Sequence, residues 1–178
     1  QAFIDAVGLD SPTHRDWISW FCTIPMWDEV HLGDATLRLV HACWSDTDID
    51  VVRPLLGPNR TLTTEFVLAA SRKGTPVYES LEVLVKGPEA HMGGVTYKDK
   101  EGHERRKARL QWWRADARTL RDAVLIPGNA SGLSGEVPDT PIDNVHLYTS
   151  DIPVIVGHYW AEPGTAPWSE KVACVDHS

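Results

Sequence analysis

The sequence predicts a mixed α/β fold, and three observations carry that reading. Two short apolar runs, Leu37-Arg38-Leu39-Val40 and Pro153-Val154-Ile155-Val156, have the length and β-branched content of buried strands. Between and around them lie segments with helical spacing and capping residues. Each strand run is followed, at once or after one glycine, by a histidine: His41 in Val40-His41-Ala42-Cys43-Trp44 and His158 in Val156-Gly157-His158-Tyr159-Trp160. Open α/β sheets build their sites where strands give way to loops at the carboxyl end. Imidazole is the commonest protein ligand for transition-metal ions. The two histidines are therefore candidate metal ligands, with a hydrogen-bonded, purely structural strand-end histidine as the alternative at each position.

The remaining elements follow in order. Residues 1–7 have helical character, and Asp16 is a candidate cap for a helix through Trp17-Ile18-Ser19-Trp20-Phe21 that Pro25 would end. Trp27-Asp28-Glu29-Val30-His31-Leu32, a Gly33-Asp34 turn and the Leu37–Val40 run form a predicted hairpin. Residues 61–71 and 76–84 have helix-compatible spacing, the second with Thr75 as N-cap and Pro76 in the first turn. Val95-Thr96-Tyr97 and residues 107–113 flank a polar turn containing Gly102, which predicts an exposed hairpin insertion over 90–113. Residues 127–143, rich in Gly, Pro, Ser and Asn, read as a surface loop, and residues 171–176 as a last core strand.

At 178 residues the chain has the size of one domain with a real core. A formal charge of −8 argues against a generic nucleic-acid binder, which carries a basic face. No run has the apolar length of a bilayer span. The three cysteines, Cys22, Cys43 and Cys174, are odd in number and lack a CxxC pair, so they read as buried thiols of a cytoplasmic protein. Eight tryptophans are explained first as packing residues, although Trp44 and Trp160 stand close enough to the histidines to wall a pocket. The basic run KDKEGHERRKAR over 98–109 reads as a solvated hairpin face. In Ser71-Arg72-Lys73-Gly74-Thr75-Pro76, two cations precede a helix start, so Arg72 and Lys73 are candidates to bind a substrate phosphate.

Two stretches carry a family resemblance. Trp20-Phe21-Cys22-Thr23-Ile24-Pro25-Met26-Trp27 followed by the Leu37–Trp44 run resembles calcineurin-like metallophosphoesterases, in which a hairpin strand ends in a metal-binding histidine. Val154 to Trp160 resembles that family's later Gly-His motif, and residues 172–176 its adjacent core strand. Ser71-Arg72-Lys73-Gly74 and Lys86-Gly87-Pro88-Glu89 are similar to segments of its bacterial serine/threonine phosphatase and diadenosine tetraphosphatase branch. The resemblance implies an incomplete β-sandwich flanked by helices, lacking its N-terminal strands. The family's Asp-x-His-Gly, Gly-Asp-x-x-Asp-Arg and Gly-Asn-His-Glu motifs are not in this sequence: Gly33-Asp34 continues with Ala35-Thr36, and Gly128-Asn129 with Ala130-Ser131. Residues 1–178 would then be a partial domain, holding a minority of the ligands.

What the resemblance implies for function is a metal-dependent phosphoester hydrolase. It would use two divalent ions (Mn, Fe or Zn), with His41 and His158 among their ligands and Arg72 or Lys73 on the substrate. The substrate would be a phosphorylated small molecule, nucleotide or phosphoprotein, with no nucleic-acid or membrane partner. The segment alone is expected to be weakly active or inactive. A non-catalytic interaction module derived from such a fold, binding through its tryptophan-rich face, is the second expectation. A zinc-stabilised structural domain is disfavoured, because the spacings assemble no closed four-ligand set.

Overall fold

A computed structural model describes residues 2–127, 130–142, 147–159, 161 and 164–177, and shows a mixed α/β architecture of helices and three small sheets. The elements in chain order begin with α1 (Ala2–Val7), α2 (Pro12–Phe21), β1 (Trp27–Leu32), β2 (Ala35–Val40), α3 (Asp46–Val52), α4 (Thr64–Ala70) and α5 (Pro76–Lys86). They continue with β3 (Glu89–His91), β4 (Tyr97–Lys98), β5 (Glu104–Arg105), β6 (Lys107–Leu110), α6 (Leu120–Ala123), β7 (Val124–Leu125), β8 (Val154–Val156) and β9 (Val172–Cys174). Among the described residues, no helix is long and apolar enough to cross a membrane.

The principal sheet has the order β1-β2-β8-β9. The predicted hairpin is present: β1 and β2 run antiparallel from Trp27↔Val40 to Leu32↔Ala35, around a Gly33 whose φ of +64° suits a tight turn. β2, β8 and β9 are mutually parallel, with Val40 opposite Val156 and Val156 opposite Cys174. Parallel pairing brings the carboxyl ends of all three strands to one edge. Val40, Val154, Val156 and Val172 are buried there, in a core that also holds Trp27, Trp44, Ile49, Phe66, Leu84, Trp112 and Trp113. The near-continuous apolar runs of these strands are what a parallel sheet buried on both faces requires.

Helix starts obey their caps. Thr63 and Thr75 cap α4 and α5 through their hydroxyls, which accept from the Phe66 and Tyr78 N–H groups, and Pro76 takes the first turn of α5. In α2 the cap is Ser11, not Asp16: Ser11 Oγ accepts from His14 N, and Pro12 opens the helix. A Ser-Pro pair supplies both a side-chain acceptor and a preset φ, so it outcompetes the carboxylate four residues on. Neither α1 nor α2 contains a buried residue. Trp17 and Trp20 are about half exposed and touch mainly Phe3, Phe21 and each other, whereas Trp27, Trp44, Trp112 and Trp113 pack in the core. Of the thiols, Cys43 is buried, Cys22 and Cys174 are half-buried, and all three are free.

The pairing within 90–113 departs from the predicted hairpin. Tyr97-Lys98 pairs with Glu104-Arg105, and residues 107–110 pair instead with Glu89–His91 and Val124–Leu125. Asp99 sets this register: its carboxylate accepts from the Glu101 and His103 N–H groups and from the Arg105 guanidinium, closing a tighter turn than the predicted one. The charged run is a solvated surface, with Lys100–Glu101, Arg105–Asp99 and Arg106–Glu104 ion pairs. A second core of Met92, Tyr97, Ala108, Leu110, Leu120 and Val124 packs beneath. The described part of 127–143 carries only isolated bridges, Lys98↔Ser131 and Thr119↔Pro141, and Gly128, Asn129 and residue 143 lie outside the described residues.

The join between α5 and β3 fixes the packing of the two sheets. Gly87 follows α5 with φ +83°, and a Cβ placed there would sit 1.7 Å from Tyr159 Oη. Only a residue without a side chain accepts both constraints. Gly87→Ala is expected to destabilise the fold by about 2–4 kcal/mol, from a left-handed penalty plus overpacking against a buried tyrosine. Urea denaturation checks this, and a loss under about 0.5 kcal/mol would show that Tyr159 moves aside freely.

Candidate metal centre

His41 directly continues β2, and His158 follows β8 after Gly157. The parallel ladder extends one step past the strands, because Gly157 N donates to His41 O at 2.9 Å. The two imidazoles consequently meet, with ring centres 5.1 Å apart and planes inclined at 50°. Helix α5 secures the His41 side. Leu84 O, one of the carbonyls that a helix C-terminus leaves without an internal partner, accepts from Ala42 N at 3.1 Å and Cys43 N at 3.4 Å.

His158 sits in a constrained turn. Its φ is +62°, and Tyr159 N donates back to Gly157 O at 2.6 Å. A non-glycine residue in the left-handed region costs on the order of 1–3 kcal/mol and persists only where its surroundings dictate it. Those surroundings are an aromatic box. Tyr159 is buried against Trp113 and Trp168 at ring separations of 5.4 Å each, and those two indoles stack at 4.2 Å. The His158 ring meets the Tyr159 ring edge-on at 5.8 Å. Cys174 adds its thiol, which donates to Tyr159 O.

The protonation state of His158 is well defined. Burial, reinforced by the positive charge of Arg109, by His41 and by Lys86, lowers its pKa from 6.5 to about 4, and Asp176 opposes this only in part. His158 is therefore neutral at pH 7, the form that binds metals. Its Nε2 is buried and has no hydrogen-bond partner among the described residues. An unpartnered buried ring nitrogen with a free lone pair is a ligand atom without its electrophile. Two imidazoles on one tetrahedral ion, at a metal–nitrogen distance of about 2.1 Å, have ring centres about 5 Å apart, which matches the observed pair. The chemistry and spacing of this pair thus fit part of a metal centre.

The rest of a ligand set is not assembled by the described residues. Asp176, two residues past β9, lies at the same sheet edge, its Cβ 3.8 Å from where a Gly157 Cβ would stand. The one group of three His, Cys, Asp or Glu ligand atoms at mutual metal-binding distance among the described residues is Asp99, Glu101 and His103, which is elsewhere. Asp99 already accepts four hydrogen bonds or ion-pair contacts there, from Arg105 and from two backbone N–H groups, which accounts for that cluster without an ion.

Arg72 and Lys73 are exposed in the turn before α5. His41 meets the opposite end of that helix, and the stretch from Pro76 to Leu84 separates them by roughly 12 Å at 1.5 Å per residue. The structure does not bring Arg72 or Lys73 to the histidines. The cations it does bring are Arg109 on β6 and Lys86 at the end of α5. Sequence reasoning missed Arg109 inside a charged run and Asp176 after the last strand. The second had a signal, since it follows β9 much as His41 follows β2. Trp44 is a core residue covered by the Arg38 guanidinium at 4.5 Å, and Trp160 lies outside the described residues.

Comparison with known protein families, curated proteins and solved structures finds no match to this chain. Its functional reading therefore rests on the residues themselves.

The low pKa of His158 has a measurable consequence. An unfolded histidine takes up its proton as pH falls through about 6.5, but the folded one does so only near 4. In that window the unfolded chain binds more protons, so stability is full above about pH 6.5 and declines as pH falls toward 4. Long-range imidazole NMR titration should give a His158 midpoint near 4, and a midpoint at 6 or above would contradict the desolvated environment.

Proposed function

We propose that the chain is part of a metal-dependent phosphoester hydrolase of calcineurin-like type, with His41 and His158 as ligands. The observation that carries this reading is the meeting of the two imidazoles at one sheet edge, one of them neutral and with an unpartnered buried nitrogen. Both belong to the sequence segments that resemble that family, and the β-sandwich of that family is the finer fold reading we adopt.

In this proposal His41 and His158 hold divalent ions of the Mn, Fe or Zn class through neutral imidazole nitrogens, and the constrained turn at His158 keeps its ring from rotating away. Such ions, when bound, lower the pKa of water and polarise a phosphoryl oxygen. The chain's own residues do the rest that it can supply. Tyr159 stays protonated, because burial raises its pKa, and with Trp113 and Trp168 it forms a dry wall under the site. Phosphorylated small molecules, nucleotides and phosphoproteins all meet this chemistry. With two imidazoles and one nearby carboxylate, the segment alone binds metal weakly and turns over little.

A second reading, a non-catalytic interaction module, is favoured by the exposed Trp17, Ile18, Trp20 and Phe21 of α2. Metal binding separates the two. The enzyme reading expects Mn²⁺ to bind the chain, measured by loss of its free EPR signal, and His41→Ala or His158→Ala to weaken binding at least tenfold. Mn²⁺-dependent hydrolysis of an aryl phosphate should disappear in the same variants. Equal Mn²⁺ affinity in the parent and both variants would overturn the enzyme reading and leave the module.

A further inference from the structure

We propose that Arg109 binds the phosphate of the substrate at the His41–His158 site, and that the site therefore selects anionic phosphate groups that a guanidinium can grip with two hydrogen bonds. This rests on the hydrolase reading for the word substrate, but the anion site itself is argued from Arg109 and its surroundings.

Arg109 lies in the middle of the β3-β6-β7 sheet, opposite Glu89 on one side and Leu125 on the other. Directly opposed charges on neighbouring strands usually pair. Here they do not: among the described residues Arg109 makes neither an ion pair nor a hydrogen bond through its side chain. Its guanidinium lies instead over the face of Tyr159, 5.4 Å from the ring centre, and so beside His158. The other partly buried arginines behave differently. Arg38 holds Glu29 and the Tyr148 hydroxyl, and Arg60 holds Asp28. A half-buried guanidinium that leaves the adjacent carboxylate unused is incompletely solvated and lacks a counter-ion, which is the condition an incoming anion relieves.

The geometry also says why the residue is arginine. The Tyr159 ring, pinned by Gly87 beneath its hydroxyl and by Trp113 and Trp168 at its sides, gives a planar cation a fixed seat. A guanidinium held flat presents its edge as a fork matching two phosphate oxygens, whereas an ammonium offers a single point charge. Lys86 adds positive potential from the end of α5, although its ion pair with Glu82 partly neutralises it. The positive field at His158 would repel a lone metal ion and favour an anion. A phosphate that bridges guanidinium and metal satisfies both, which ties substrate recognition to the second sheet and metal binding to the first.

The test measures inorganic phosphate binding to the whole chain in metal-free buffer by calorimetry and ³¹P line broadening, with Mn²⁺ binding measured separately by EPR. Arg109→Gln is expected to weaken phosphate binding at least tenfold, and Arg109→Lys several-fold, because the charge remains and the fork is lost. Lys86→Gln should lose about twofold to threefold, and the pair Arg72→Gln with Lys73→Gln should change nothing. Mn²⁺ affinity should be retained in the Arg109 variants. Phosphate affinity within twofold of the parent in Arg109→Gln, or no phosphate binding by the parent, would overturn the proposal. If Mn²⁺ still binds through the histidines in that case, the hydrolase reading survives. Loss of phosphate in Arg109→Gln with no Mn²⁺ bound by the parent would support the anion site and overturn the metal centre instead. Should Arg109→Gln fail to fold by circular dichroism, Arg109→Lys, which keeps the stacking cation, decides the matter.

Discussion

The parallel pairing of β2 with β8 is the constraint on which the rest of this structure depends. It places Val40 beside Val156 and, one step further, lets Gly157 N donate to His41 O. Everything at the candidate centre follows from that register. A slip of one residue would turn every side chain of a strand to the other face, burying the imidazoles' neighbours differently and separating the rings. The register is held from both sides of the sheet, by the Leu84 carbonyl receiving Ala42 and Cys43 and by the apolar side chains of Val154, Val156 and Val172 in the core.

Tyr159 connects this sheet to the second one. It is adjacent to His158 in sequence, seats Arg109 on its face, and packs its hydroxyl where Gly87 has no side chain. Its hydroxyl and the Trp112 indole N–H are both buried without a partner meeting hydrogen-bond geometry. A fold tolerates such unsatisfied groups where packing dictates position. The aromatic box thus fixes the backbone of His158 in a conformation that the chain would not choose locally, and it lowers the dielectric around the ring. Rigidity and a neutral imidazole have the same cause.

The chemistry of the site is divided between the two sheets. The parallel sheet supplies lone pairs, from His41 and His158, and a carboxylate nearby in Asp176. The β3-β6-β7 sheet supplies positive charge from Arg109. Bringing cations next to prospective metal ligands is unfavourable unless an anion joins them, and this gives the pairing a purpose in phosphoester chemistry that neither sheet has alone. The Asp99 turn shows the contrasting case, in which acidic groups and a histidine cluster because a loop needs them and an arginine neutralises them.

By itself the sequence determined the strands, most helices and the two histidines. Apolar β-branched runs, the Gly33-Asp34 turn and the Thr75-Pro76 cap are local signals, and local hydrogen bonding and steric preference suffice to read them. Local signals failed where two of them competed, as when Ser11-Pro12 displaced Asp16 as the cap of α2, or where a side chain set the register, as Asp99 did in the β4-β5 turn. Only the tertiary structure decided which cations approach the histidines. Arg72 and Lys73 had the more suggestive sequence setting, but α5 is a rigid rod that carries them to its far end. Arg109, hidden among exposed charges in the sequence, reaches the site because β6 pairs with β3 directly after Gly87 turns the chain beneath Tyr159. Electrostatic neighbours are set by distance in space, and distance in space is set by packing.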